Sequence, residues 1–131
     1  MRHSRLRAFL VSAVVLALSA GCKNSSAPST QQPPPGPIAV TVTITSSGVD
    51  IKTVDVPLGG RVRFVNNDSR SHNMTSDPHP EHDTCPVLNQ VGFLRPGDSR
   101  ETGNLVEART CGFHDHDDPD TLNLRGQITA R

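Results

Sequence analysis

From residue 38 onward, apolar and polar positions alternate in short runs broken by turn residues. Segment 38–45, Ile-Ala-Val-Thr-Val-Thr-Ile-Thr, is dense in β-branched side chains and predicts a strand. Segment 49–56 alternates through Val49, Ile51 and Thr53, then shifts phase at Val54 and Val56, which predicts a strand carrying a bulge. Pro57-Leu58-Gly59-Gly60 is a turn, Arg61 to Val65 another strand, and Asn66-Asn67-Asp68 its end. Pro96-Gly97-Asp98-Ser99 is a second turn, and Leu122, Leu124, Ile128 and Ala130 are expected on one face of a last strand. No stretch carries helical periodicity. Short strands separated by Gly/Pro turns predict an all-β sandwich or barrel.

The first third reads differently. Arg2, Arg5 and Arg7 precede an apolar run from Ala8 to Ala20, too short to span a bilayer comfortably as a helix and built like an export signal. The run closes Leu18-Ser19-Ala20-Gly21-Cys22, which resembles the lipobox of bacterial lipoproteins, with Ser19 where Leu is usual. The resemblance implies a signal over 1–21, a lipid on Cys22, and an exported protein tethered at the periplasmic or cell-surface face of a membrane. The rest of 22–37, rich in Pro, Ser and Gln, predicts an extended linker. The folded domain is then expected over 38–131.

Composition narrows the function. The 131 residues hold equal numbers of basic and acidic side chains, 13 of each, but four of the basic ones precede residue 24. The domain is therefore net acidic, which speaks against a nucleic-acid surface. Trp and Tyr are absent, so base stacking has little to work with. Nothing resembles a nucleophile elbow or a His-Glu-x-x-His helix, and no enzyme activity is expected. With Phe64, Phe93 and Phe113 as the domain's only rings, the core is thin, and a metal or a disulfide would reinforce it.

Five of the six histidines, His72, His79, His82, His114 and His116, fall within 45 residues. Imidazole is the commonest protein metal ligand, so the cluster points to a metal. Cys111-Gly112-Phe113-His114-Asp115-His116 sets a thiol near two imidazoles, and His72-Asn73 follows an expected strand. A thiolate and two imidazoles in a trigonal set would suit a blue copper centre. His79 and His82 lie in a Pro-bounded loop, read either as solvated or as a weaker second metal site or gate. Asp115, Asp117, Asp118 and Asp120 read as a solvated acidic loop, with docking of a basic redox partner as the alternative.

The pieces Val56 to Asn67, Ser71-His72-Asn73, Pro96 to Ser99, Cys111-x-x-His114 and Gly126-Gln127-Ile128-Thr129, in that order, resemble the cupredoxins of the plastocyanin and pseudoazurin type. The resemblance covers about residues 54–131. It implies a Greek-key β-sandwich, one copper ion and single-electron transfer to a partner protein, by a monomer. It makes His72, Cys111 and His114 the ligands, with His116 the alternative at a longer spacing, and has Asn73 tie the two ligand loops together. Leu124 stands where the family's axial Met belongs, which implies a site without a thioether ligand. The loop from Cys111 to Gly126 is also longer than in plastocyanins, and Cys85 has no counterpart in simple members.

Two readings follow. With Cys111 a thiolate ligand, the protein is a blue-copper electron carrier. With Cys22 lipidated, however, Cys85 and Cys111 are an even pair in an exported domain, the usual setting of a disulfide. His72, His114 and His116, with His79 as a further candidate, would then hold copper or zinc, and the protein would be a metal-binding module.

Overall fold

The computed structural model describes residues 32–131. Pro33–Arg131 form one compact unit. The expected signal, Cys22 and most of the linker lie outside the described residues. Among the described residues no helix is long and apolar enough to cross a membrane.

The elements are strands β1 (Ile38–Thr45), β2 (Gly48–Val49), β3 (Thr53–Val56), β4 (Arg61–Asn66), β5 (His72–Ser76), β6 (Gly92–Leu94), β7 (Ser99–Glu101), β8 (Arg109–Asp115) and β9 (Gly126–Ala130), with short 3-10 turns at Leu88–Gln90 and Leu122–Leu124. They form a four-stranded sheet in the order β2-β1-β4-β7 and a five-stranded sheet in the order β3-β9-β8-β5-β6. β1 pairs parallel with β4, and β3 parallel with β9; the other pairings are antiparallel.

Alternation decides which faces meet. Along β4, Val62, Phe64 and Asn66 are buried, while Arg61 and Arg63 point outward to Glu101 on β7. Val42, Ile44, Val62 and Phe64 from one sheet and Met74, Phe113 and Ile128 from the other belong to one buried cluster. The Phe64 and Phe113 rings meet edge to face with centroids 5.3 Å apart, joining the two sheets. Hence Phe113 marks the inner face of β8.

Three expectations change. The phase shift in 49–56 is not a bulge: β2 belongs to the four-stranded sheet and β3 to the five-stranded one, so the chain changes sheets there. The last strand starts only at Gly126, and Leu122 is 72% exposed while Leu124 is buried. Phe93 is 48% exposed on β6 and adds little to the core. In addition, the stretch 34–37 is fastened to the domain. Asn104 donates to the Pro34 carbonyl and accepts from the Gly36 N–H, and Arg61 Nε donates to the Gly36 carbonyl at 2.7 Å.

Candidate metal centre

The ladder between β5 and β8 determines which candidate ligands can meet. Met74 pairs with Asp115, Thr75 with His114 and Ser76 with Phe113. Continuing that register sets Cys111 opposite residue 78, six positions from His72, or roughly 20 Å along the strand. His72 and Cys111 therefore cannot share an ion. Cys111 and His114 are also three apart on one strand, so they point to opposite faces of the sheet. Cys111 lies on the inner face with Phe113, and its sulfur is bonded to Cys85. The trigonal set of His72, Cys111 and His114 is thus not formed, and Cys111 pairs with Cys85 instead.

His72 has a different role. It is 1% exposed, and both ring nitrogens face carboxylates: Nδ1 is 2.7 Å from Asp115 Oδ2, and Nε2 is 3.1 Å from Asp68 Oδ2. A carboxylate only accepts, so each ring nitrogen is committed to a carboxylate and neither is left for a metal. Asp115 also accepts from the backbone N–H groups of Asn73 and Asp117, and Arg70 lies 3.5 Å from Asp68. For Asp68, burial alone would raise the carboxyl. The His72 hydrogen bond, the Ser69 N–H and the charges of His72 and Arg70 outweigh it and hold the group below its ordinary range. Asp115 is therefore not part of a solvated loop, as the sequence suggested, but buried at the inner end of β8. Asn73 bonds through its backbone to Asp115 and His116 and not between copper-ligand loops: its N–H reaches Asp115 and its carbonyl accepts from the His116 N–H at 2.7 Å. Leu124 and Met74 are core residues.

The outer face of β8 carries the other candidates. His114 projects there, away from Phe113, and the loop 77–91 between β5 and β6 folds across it. One ligand atom from each of His79, His82 and His114 lies within 4.8 Å of the others. His116 joins them: its Nδ1 is 2.8 Å from His82 Nε2, and its ring centroid is 5.0 Å from that of His79. Four imidazoles converge on one spot.

Their orientation is fixed from behind. His114 Nδ1 is 2.6 Å from Asp77 Oδ1 and donates to it, which leaves Nε2 unprotonated. That Nε2 is buried and has no hydrogen-bond partner among the described residues. Burial lowers the His114 imidazole below its ordinary value; Asp77 pulls it back, and His82 and His79 lower it further. His82 Nδ1 lies 2.8 Å from the Ser76 carbonyl, so its Nε2 also turns inward as an acceptor. His82 takes a left-handed backbone, φ 54°, a conformation that costs a non-glycine residue about 1 kcal/mol. Three bonds impose it: His82 N–H to the Pro78 carbonyl, and Ser76 Oγ and Asn89 Nδ2 both to the His82 carbonyl. Gly112 makes room for Asp77, because a Cβ there would lie 2.1 Å from Asp77 Oδ2. On the solvent side, His79 shares with Asp77, Asp120 and Arg125 a cleft of about 680 Å³, a path for an ion to enter.

Imidazoles with unprotonated nitrogens facing one another, an orphaned buried acceptor among them and a carboxylate behind one ring are the donor set of a transition-metal site. An ion bound at ~2.0–2.1 Å sets tetrahedral nitrogens roughly 3.3 Å apart, so ligand atoms within 4.8 Å of one another need close in by at most about 1.5 Å. The set therefore fits a metal. Of its members, the sequence named His114 and His116 as primary ligands and left His79 and His82 as secondary. Asp77, which orients His114, was missed; its only sequence signal is its place two residues before His79.

No protein-family model matches the sequence, and no curated protein matches it. Solved structures do match. A novel purple cupredoxin from Nitrosopumilus maritimus superposes with a TM-score of 0.54 at 18% identity, covering 70% of this chain and 99% of that one. The fold is that of the cupredoxins. A plastocyanin from Dryopteris crassirhizoma in its oxidized form matches with a TM-score of 0.54 at 17% identity over 70% of this chain and 99% of its own. A mutant amicyanin in the Cu(I) state matches at 0.53 and 19% identity, over 71% of this chain and 82% of its own. At these identities the shared property is the cupredoxin fold. Within that fold, this chain gathers its imidazoles on the outer face of the five-stranded sheet, and its His72 is tied up by two carboxylates.

Proposed function

We propose that this protein is a copper-binding module that holds one ion through His79, His82 and His114, with His116 beside them and Cys85–Cys111 as a structural staple. The observation that carries this is the buried, partnerless Nε2 of His114, aimed at two other imidazoles within 4.8 Å. Imidazole suits both copper and zinc, and Cu(II) binds such donors more tightly than Zn(II). The amicyanin that shares the fold is described with Cu(I), which supports copper here. In the bound state the ion would be held by the inward nitrogens. Asp77 keeps His114 in the right tautomer, and the Ser76 carbonyl does the same for His82.

Electron transfer through a thiolate–copper bond is the other function of this fold. It needs the Cys85–Cys111 bond open and Cys111 turned through the sheet, so the geometry favours imidazole ligation. The disulfide agrees with export to an oxidising compartment, and we infer a lipid tether at Cys22 from its sequence setting. Fatty-acid labelling of the expressed protein, lost in Cys22→Ser, tests the tether.

The test of the site is the visible spectrum of the protein loaded with Cu(II) and dialysed. The expected result is one retained ion per chain, with a weak band and no intense charge-transfer absorption. His79→Ala and His82→Ala should each release it. Complete loss of copper from the native protein on dialysis, or an intense blue band, would overturn the assignment.

A further inference from the structure

The imidazole site is divided between two pieces of chain. His79 and His82 ride on the loop 77–91, and His114 is on β8. The Cys85–Cys111 disulfide joins the same two pieces, three residues beyond His82 on the loop and three before His114 on the strand. Staple and site are parallel links between one loop and one strand.

The remaining links are weaker and badly placed to do the same job. The hydrogen bonds from Ser76 and Asn89 to the His82 carbonyl shape the loop from β5 and the 3-10 turn at Leu88–Gln90, without reaching β8. Two others, Asp77 N–H to the Gly112 carbonyl and the Asp77 carboxylate to His114, act at the root of the loop. Beyond the root, the His82–His116 hydrogen bond ties the loop to the residue just past β8. The Gly103 N–H to Val87 carbonyl bond attaches the far arm of the loop to a different segment. Opening the disulfide removes the covalent link between loop and strand, leaving His82 held to Ser76 on β5 and His79 with no such anchor, and leaves two thiols at buried positions.

We propose that the disulfide sets the metal affinity of the imidazole site, and that bound metal in return protects the disulfide. The proposal rests on the imidazole site argued above. The exchange is balanced. Two glutathione thiols supply two electrons and two protons, the Sγ–Sγ bond breaks, two cysteine thiols form, and glutathione disulfide leaves. Because both couplings describe one thermodynamic cycle, they must be equal in size. Cys111 acts by position and not as a ligand, since it faces the opposite side of the sheet from His114.

Zn(II) is the probe, because it has no redox chemistry of its own. Its affinity should be at least tenfold weaker in the Cys85→Ser/Cys111→Ser protein than in the oxidised native protein. A difference under twofold overturns the coupling. The second measurement uses the native chain alone and so does not depend on the variant folding. The protein is equilibrated in glutathione redox buffers with and without saturating Zn(II), its thiols are alkylated, and the two forms are counted by mass. Zinc should shift the midpoint toward the disulfide by the same factor. No shift, or a shift toward the thiols because they have become ligands, overturns the proposal. If oxidised native protein binds neither zinc nor copper, the site itself falls; if both redox states bind equally, the site stands and only the coupling falls.

Discussion

His72 and His114 show how one residue type reaches opposite ends by its surroundings. At His72 two carboxylates claim both ring nitrogens, so neither is left for a metal. At His114 a single carboxylate claims one nitrogen and leaves the other free. The variants should divide accordingly. His72→Ala strands two buried carboxylates and should cost about 3–5 kcal/mol of stability, seen in chemical denaturation, while copper stoichiometry stays at one. Loss of copper with the fold intact would instead return His72 to the ligand set. Asp77→Asn should leave stability nearly unchanged and weaken metal binding about 10–100-fold, because Asp77 only orients a ligand. Gly112→Ala should imitate it: the new methyl meets Asp77 Oδ2 and pushes that carboxylate off His114. Competition with a chelator of known affinity measures both.

Among the elements, β8 carries most of the argument. Its alternation sends Cys111, Phe113 and Asp115 inward and His114 outward. The spacing Cys111-x-x-His114 reads in the sequence as one ligand loop, but as a strand it separates the pair across the sheet. The sequence contained the histidines and even the cysteine pair. What it lacked was the knowledge that 109–115 is a strand, since Gly112 and the charged residues around it break the apolar alternation. Strands β1 and β4 were legible because β-branched residues alternate cleanly there. The change of sheets between β2 and β3 was visible only as a phase shift, which a bulge would also produce. The stretch 77–83 was legible as an irregular loop from its prolines, yet the link from this loop to residue 111 is one that local pattern does not encode. Asp115 was misread because its burial depends on His72, 43 residues away.

On the scale of the whole domain, a small core with a single interior ring pair leans on its staple. The disulfide spans a sequence separation of 26, and a loop of that length is worth about 3 kcal/mol. Reduction of the metal-free protein should lower its Tm by about 15 °C, which calorimetry with and without reductant would show; an unchanged Tm would mean that the bond contributes nothing. Acid acts at two levels. Asp68 and Glu101 are held below their ordinary values of 3.8 and 4.5, Asp68 as described and Glu101 chiefly by the hydrogen bond from Arg63. Below about 4.5 the unfolded chain takes up these protons before the folded one, so that stability, fully present above this range, is lost as pH falls. His114 is lowered from 6.5, so the metal-free protein begins to lose stability earlier, as the unfolded imidazole protonates first. Copper should leave over the same upper range, because protons compete for the imidazoles. Denaturation midpoints and retained copper, followed from pH 7.5 to 3.5, separate the two levels.

The placing of His79 has its own consequence. Three of the four imidazoles are partly or wholly covered, but His79 stands exposed at the mouth of the cleft. An exposed side chain changes rotamer in picoseconds to nanoseconds. With an ion in the proposed cage, one arm would thus be a swinging latch, and release would start at that latch and not with unfolding of the sandwich. Handover to a competing acceptor would then begin with a single imidazole letting go.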